Sequence, residues 1–87
     1  MANINMCFKT RHRVREKIDK DAHAIHEIVK KYTDNCLLYI AYSNSEIKFN
    51  VYELDINQRA SFMADLCAQI YEKQELVAVD LTYYAIT

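Results

Sequence analysis

Apolar and polar residues alternate with a period of two in three parts of the chain. From Glu46, Ile47, Phe49 and Val51 alternate with Lys48, Asn50 and Tyr52, which predicts a strand with one buried and one wetter face. Residues 3–8 place Ile4, Met6 and Phe8 on one side and Asn3, Asn5 and Cys7 on the other. From Leu76 to Ile86, Val77, Val79, Leu81 and Tyr83 alternate with Ala78, Asp80, Thr82 and Tyr84. Both stretches read as strands. Two other stretches repeat at three and four residues. Val14, Ile18, Ala22, Ile25, Ile28, Val29 and Tyr32 predict an amphipathic helix from about Arg11 to Lys31. Thr10 is placed to cap its start, and Lys30 and Lys31 suit its C-terminal dipole. A second helix over about 56–73, capped by Asp55 or Asn57, would bury Phe62, Met63, Leu66, Cys67 and Ile70, with Tyr71 beside them.

The run Cys36–Tyr42 follows neither period. It holds no charged or strongly polar residue, as expected of a strand covered on both faces. Ser43-Asn44-Ser45 then supplies a turn into the Glu46 strand, with Asn44 as the expected pivot because Asn tolerates positive φ.

The predicted order is β-α-β-β-α-β in one domain, residues 1–87. Two split β-α-β units of this kind give a ferredoxin-like α+β fold: a four-stranded antiparallel sheet, order 4-1-3-2, with two helices on one face. The rival order lacks the first strand. In the ferredoxin-like topology residues 36–42 form a sheet edge. An uncharged, proline-free edge is an aggregation hazard unless something covers it. The favoured parity turns Leu38 and Ile40 inward and Leu37, Tyr39 and Ala41 outward, leaving Tyr39, Tyr52 and Tyr84 as an aromatic patch on the open face.

Composition narrows the chemistry. Glycine and proline are both absent. Without glycine, backbone cannot approach a phosphate in a P-loop, a dinucleotide fingerprint or a KH clamp, and a nucleophile elbow cannot be built. Three widely spaced cysteines, Cys7, Cys36 and Cys67, fit neither a disulfide framework nor a zinc module and are expected to be reduced thiols of a cytoplasmic protein. The start of the chain lacks the apolar core of a signal peptide, and the longest apolar run is too short to span a bilayer, so no membrane partner is expected. The net charge of −1 is unevenly spread: residues 1–35 carry a net of +3 and residues 36–87 a net of −4.

Asp19, His23, His26 and Glu27 lie at helical spacings that could share a face, yet they match no metalloprotease motif, and a solvated helix face is the preferred reading. No metal, cofactor or catalytic residue is assigned. The favoured function is a non-enzymatic protein–protein interaction module, an adaptor or steric inhibitor. It would dock on a protein partner or form a homodimer through Leu37, Leu38, Tyr39, Tyr52 and Tyr84. The alternatives are a nucleic-acid-binding regulatory protein using the basic cluster Lys9, Arg11, Arg13, Arg15 and Lys17, or a phage-type inhibitor of a nucleic-acid enzyme. Nucleic acid ranks below protein as the partner.

Overall fold

The computed structural model describes residues 2–73 and 76–85, with side chains described for residues 2–70. The elements run β1 (Ala2–Thr10), α1 (Arg15–Lys30), β2 (Cys36–Ala41), β3 (Glu46–Leu54), α2 (Arg59–Lys73) and β4 (Leu76–Ala85). The chain is α+β, an antiparallel sheet with two helices, and residues 3–8 do belong to a strand, against the rival order. Strands are neighbours in the order β2-β3-β1-β4.

Alternation in β1 and β3 sorts the two sheet faces as the period of two requires. Ile4, Met6 and Phe8 pair with Val51, Phe49 and Ile47, and all six are buried. Ile18, Ala22, Ile25 and Val29 from α1 and Phe62 and Leu66 from α2 close the same core cluster. Phe8 and Phe49 meet edge to face, their ring centroids 6.5 Å apart.

Several sequence expectations are corrected. Helix α1 begins at Arg15, four residues later than the periodicity suggested, and Val14 caps it without a side-chain bond. Val14 is therefore exposed, not part of the buried stripe. Thr10 is no cap: it ends β1, and its hydroxyl donates to the Asp21 carboxylate at 2.6 Å. Starting the helix at Arg11 would also have put more positive charge into a positive dipole end. Asp55 does accept from the Asn57 amide at 3.0 Å, but it opens a 3-10 turn, Ile56–Gln58, ahead of α2. Cys67, expected in the core, is exposed; among the described residues Phe62 and Leu66 are the buried ones of α2, with Met63 and Ile70 packed partly beside them. The side chain of Tyr71 lies outside the described residues. In β4 the register slips between Cys7 and Phe8, so Ala78 comes opposite Phe8 and Val77 opposite Lys9. That irregularity puts Ala78, and not Val77, in register with the buried Phe8, which strict alternation does not predict.

Two tight spots carry positive φ without glycine. The β2–β3 turn is a 3-10 turn, Tyr42–Asn44, closed by Ser45 at φ 53°. The pivot is thus Ser45 and not Asn44. Glu53 sits at φ 59° where the β1–β3 register shifts. Left-handed backbone costs a non-glycine residue roughly 1 kcal/mol. Ser45→Gly is therefore expected to raise stability by about 0.5–1 kcal/mol, read as a higher denaturation midpoint in urea with an unchanged slope.

Tyr32, at the end of α1, ties the two helices together. Its ring meets Phe62 edge to face at 5.4 Å, and its hydroxyl donates to the Asp65 carboxylate. That hydrogen bond, with desolvation next, holds the phenol above its ordinary value of 10. A group with a raised folded pKa contributes stability in full below pH 10, and loses it as pH climbs through the folded value. Stability should fall more steeply above pH 10 in the parent chain than in Tyr32→Phe, as compared by urea melts across that range.

Candidate functional site

Strand β2 lies at one end of the strand order and bonds to β3. Its register sets Cys36, Leu38 and Ile40 opposite Val51, Phe49 and Ile47, and Leu37, Tyr39 and Ala41 opposite Asn50, Lys48 and Glu46. The expected parity is therefore the observed one. The burial is not. Leu38 points to the helix-covered face yet remains 41% exposed, while Leu37 and Tyr39 on the other face are 62% and 64% exposed. Cys36 and Ile40 pack only partly against the core, and three consecutive large apolar side chains, Leu37, Leu38 and Tyr39, meet solvent on both faces of the strand.

The backbone of this strand has a definite polarity. The Tyr52 amide donates to the Asn35 carbonyl at 2.8 Å. Antiparallel ladders alternate, so residues 37, 39 and 41 also face β3, and Cys36, Leu38 and Ile40 aim their N–H and C=O groups away from the sheet. The Thr10 amide bond to the Ser45 carbonyl at 3.0 Å fits the same alternation on the other side of β3. Among the described residues that outward row faces no further strand, which is the geometry strand addition uses.

On the open face Tyr39 and Tyr52 are not direct neighbours. Tyr39 lies opposite Lys48, and the Leu37–Asn50 pair separates it from Tyr52. Asn3 pairs with Tyr84 on β4, so β1 stands between Tyr52 and Tyr84; the side chain of Tyr84 lies outside the described residues. Tyr52 is instead joined to the edge by a cleft of about 550 Å³ lined by Asn3, Asp34, Asn35, Cys36, Leu37, Tyr52 and Glu53. Its far wall is pinned by local bonds. The Thr33 hydroxyl donates to the Tyr52 carbonyl at 3.2 Å, and the Asn35 amide group donates to Glu53 at 2.7 Å. Burial pushes the Cys36 thiol up, which keeps it protonated and a poor nucleophile.

The basic cluster divides. Lys9, Arg11 and Arg13 line a second cleft of about 580 Å³ with Thr10 and the turn residues Tyr42, Ser43, Asn44 and Ser45. Arg15 lies 4.4 Å over the Tyr42 ring as a cation–π partner, and the Tyr42 hydroxyl donates to Asp19. That bond is the main cause of a raised Tyr42 pKa, with Arg15 opposing it. Lys17 lies beyond, on an exposed turn of α1.

The histidine–carboxylate group of α1 does not assemble. Asp19 is engaged by Tyr42. His23 pairs with Glu27 at 3.4 Å in solvent. His26 packs its ring 6.1 Å from Phe49. Among the described residues no group of three or more His, Cys, Asp or Glu could hold a metal ion.

Sequence reasoning missed a different cluster. Asp21 is buried and takes the Thr10 hydroxyl at 2.6 Å and the His12 ring Nδ1 at 2.8 Å on one carboxylate oxygen. The Thr10 hydroxyl in turn accepts from the His12 amide at 3.0 Å. The signal was present: Asp21 follows Ile18 by three and precedes Ile25 by four, a position on the buried stripe where a carboxylate needs partners. The cluster fastens the β1–α1 connection. It lies at the core margin, which suits a structural role.

No helix among the described residues is long and apolar enough to cross a membrane. No family model, no curated protein and no solved structure matches the chain.

Proposed function

We propose that this chain is a small non-enzymatic interaction module on a ferredoxin-like βαββαβ scaffold, whose working surface is the outer edge of β2. The strand order β2-β3-β1-β4 supports that scaffold. The observation that carries the function is the consecutive exposure of Leu37, Leu38 and Tyr39 on an uncharged edge strand. Natural sheets blunt such edges with charge, proline, bulges, short strands or cover; this six-residue strand has no charge, proline or register shift, which favours cover. A protein partner adding a strand supplies it, with backbone bonds for affinity and Leu37, Tyr39 and the Tyr52 cleft for selectivity. An adaptor or a steric inhibitor would work in this way, without a cofactor.

The test is a photo-crosslinking residue placed at Tyr39 in cells. A specific crosslinked protein, of any kind, that disappears when Leu38→Lys is added supports the reading. Absence of any crosslinked product sensitive to Leu38→Lys removes it.

A second reading rests on the basic cleft, which Lys9, Arg11 and Arg13 line together with Ser43 and Ser45. Cations with hydroxyl donors suit phosphate oxygens. On this reading, binding of short DNA or RNA should weaken steeply with salt and fall further in Arg11→Glu. Binding that is undetectable at low salt removes it.

A further inference from the structure

Resting on that reading, we propose that the strand added to β2 is the β2 strand of a second copy, antiparallel and centred on Leu38. Three features of β2 share that centre. The outward-facing backbone groups belong to Cys36, Leu38 and Ile40, by alternation from the Tyr52–Asn35 bond. The exposed apolar side chains are Leu37, Leu38 and Tyr39. The strand itself, Cys36–Ala41, carries no charge that would repel its own copy.

A two-fold axis at Leu38 satisfies all three together. Cys36 then exchanges backbone bonds with the second copy's Ile40, Leu38 with the second copy's Leu38, and Ile40 with the second copy's Cys36. Every outward donor and acceptor of the three residues finds a partner, and other registers leave at least one unpaired. Between these pairs Leu37 stands against the second copy's Tyr39 on the open face, in the close, non-hydrogen-bonded spacing where aliphatic and aromatic side chains pack best. The interface is isologous, the commonest form of closed assembly.

The ends of the strand favour the same arrangement. Asp34 and Glu53 line the cleft at its start. Lys9, Arg11 and Arg13 line the cleft at its finish. Antiparallel pairing about Leu38 brings Asp34 opposite the second copy's Tyr42, at the mouth of that basic cleft. A parallel pairing would set like ends together. The cations of that cleft favour the antiparallel, self-complementary partner, with Asp19 and Glu46 at the same end opposing them in part.

The register is tested by two single variants, Leu37→Cys and Tyr39→Cys, with Cys7, Cys36 and Cys67 changed to Ala. Facing residues in the non-bonded pair have Cα atoms about 4.5 Å apart, inside the span a disulfide bridges. Under mild oxidation the mixture of the two variants should give covalent dimers, and each variant alone should give several-fold less. In the unmodified chain, sedimentation should show a concentration-dependent monomer–dimer equilibrium. A mixed sample of labelled and unlabelled protein should show an intermolecular Hα–Hα contact between Leu37 and the second copy's Tyr39, which holds the test if a cysteine variant does not fold. A monomer at millimolar concentration overturns the inference, as does a dimer lacking both the mixture-specific disulfide and that contact. A monomer whose Tyr39 photo-crosslinker still captures another protein, sensitive to Leu38→Lys, ends the self-pairing and leaves the interaction reading standing. Capture of nothing ends both.

Discussion

Leu38→Lys is expected to weaken self-association on the order of a hundredfold while leaving the monomer folded. In the proposed register the two Leu38 residues face each other at about 5.5 Å between Cα atoms. Two ammonium groups on these facing residues, splayed to roughly 8 Å, repel by about 2 kcal/mol at an effective dielectric constant of 20, which is more than tenfold in a dissociation constant. The loss of the leucine contact adds to this. The monomer tolerates the change because Leu38 is already 41% exposed and lies beyond the core cluster. Tyr39→Glu should act in the same direction, through a carboxylate against an apolar neighbour. Ser61→Lys, on an exposed position of α2, should leave the equilibrium unchanged. Sedimentation equilibrium of the three variants reads the effect directly. Equal dissociation constants for Leu38→Lys and Ser61→Lys would place any association elsewhere on the molecule.

The second large effect concerns the fold. Asp21→Ala should cost about 2–4 kcal/mol, because it leaves a buried hydroxyl and an imidazole without their shared acceptor. The Thr10 hydroxyl is the critical loss: it is buried, and its bond to Asp21 is 2.6 Å long. A chain of this length is expected to have only roughly 4–13 kcal/mol of total stability, so the variant would give up a large share. Asp21→Asn keeps an oxygen for Thr10 and should lose about half as much. Urea denaturation of both variants checks the order. If Asp21→Ala melted with the parent chain, the cluster would be ornamental and the β1–α1 connection would be held by packing alone.

Most of the architecture was legible because it rests on local periodicity. The alternation of Ile47, Phe49 and Val51, matched by Ile4, Met6 and Phe8, dictates which sheet face is buried. The stepping of Ile18, Ala22, Ile25 and Val29 dictates how α1 lies on it. What escaped depends on geometry that periodicity does not encode. An uncharged β2 read as a strand covered on both sides; it is exposed on both sides at Leu37 and Leu38, with only Cys36 and Ile40 packed partly against the core. The same sequence pattern serves a central strand and an exposed edge. The Ser45 pivot escaped because the turn begins with a 3-10 turn, which moves the positive φ one residue past Asn44. The Thr10–His12–Asp21 cluster joins residues 9 and 11 positions apart across a connection that is neither helix nor strand. Only the placement of Asp21 on an apolar stripe hinted at it. The basic cluster was visible as charge, but its division between a cleft and the stacked Arg15 follows from where Tyr42 sits.

The central claim is that the outer edge of β2 stands open in the isolated chain and closes on a second strand. Amide hydrogen exchange, followed residue by residue along β2 over a range of protein concentration, tests it most directly. The amides of Leu37 and Tyr39, which face β3, should be slow at every concentration. Those of Leu38 and Ile40 should exchange fast in dilute solution and become slow as concentration rises. Slow exchange at Leu38 and Ile40 in the dilute monomer, or fast exchange that persists at the highest concentration, would contradict it.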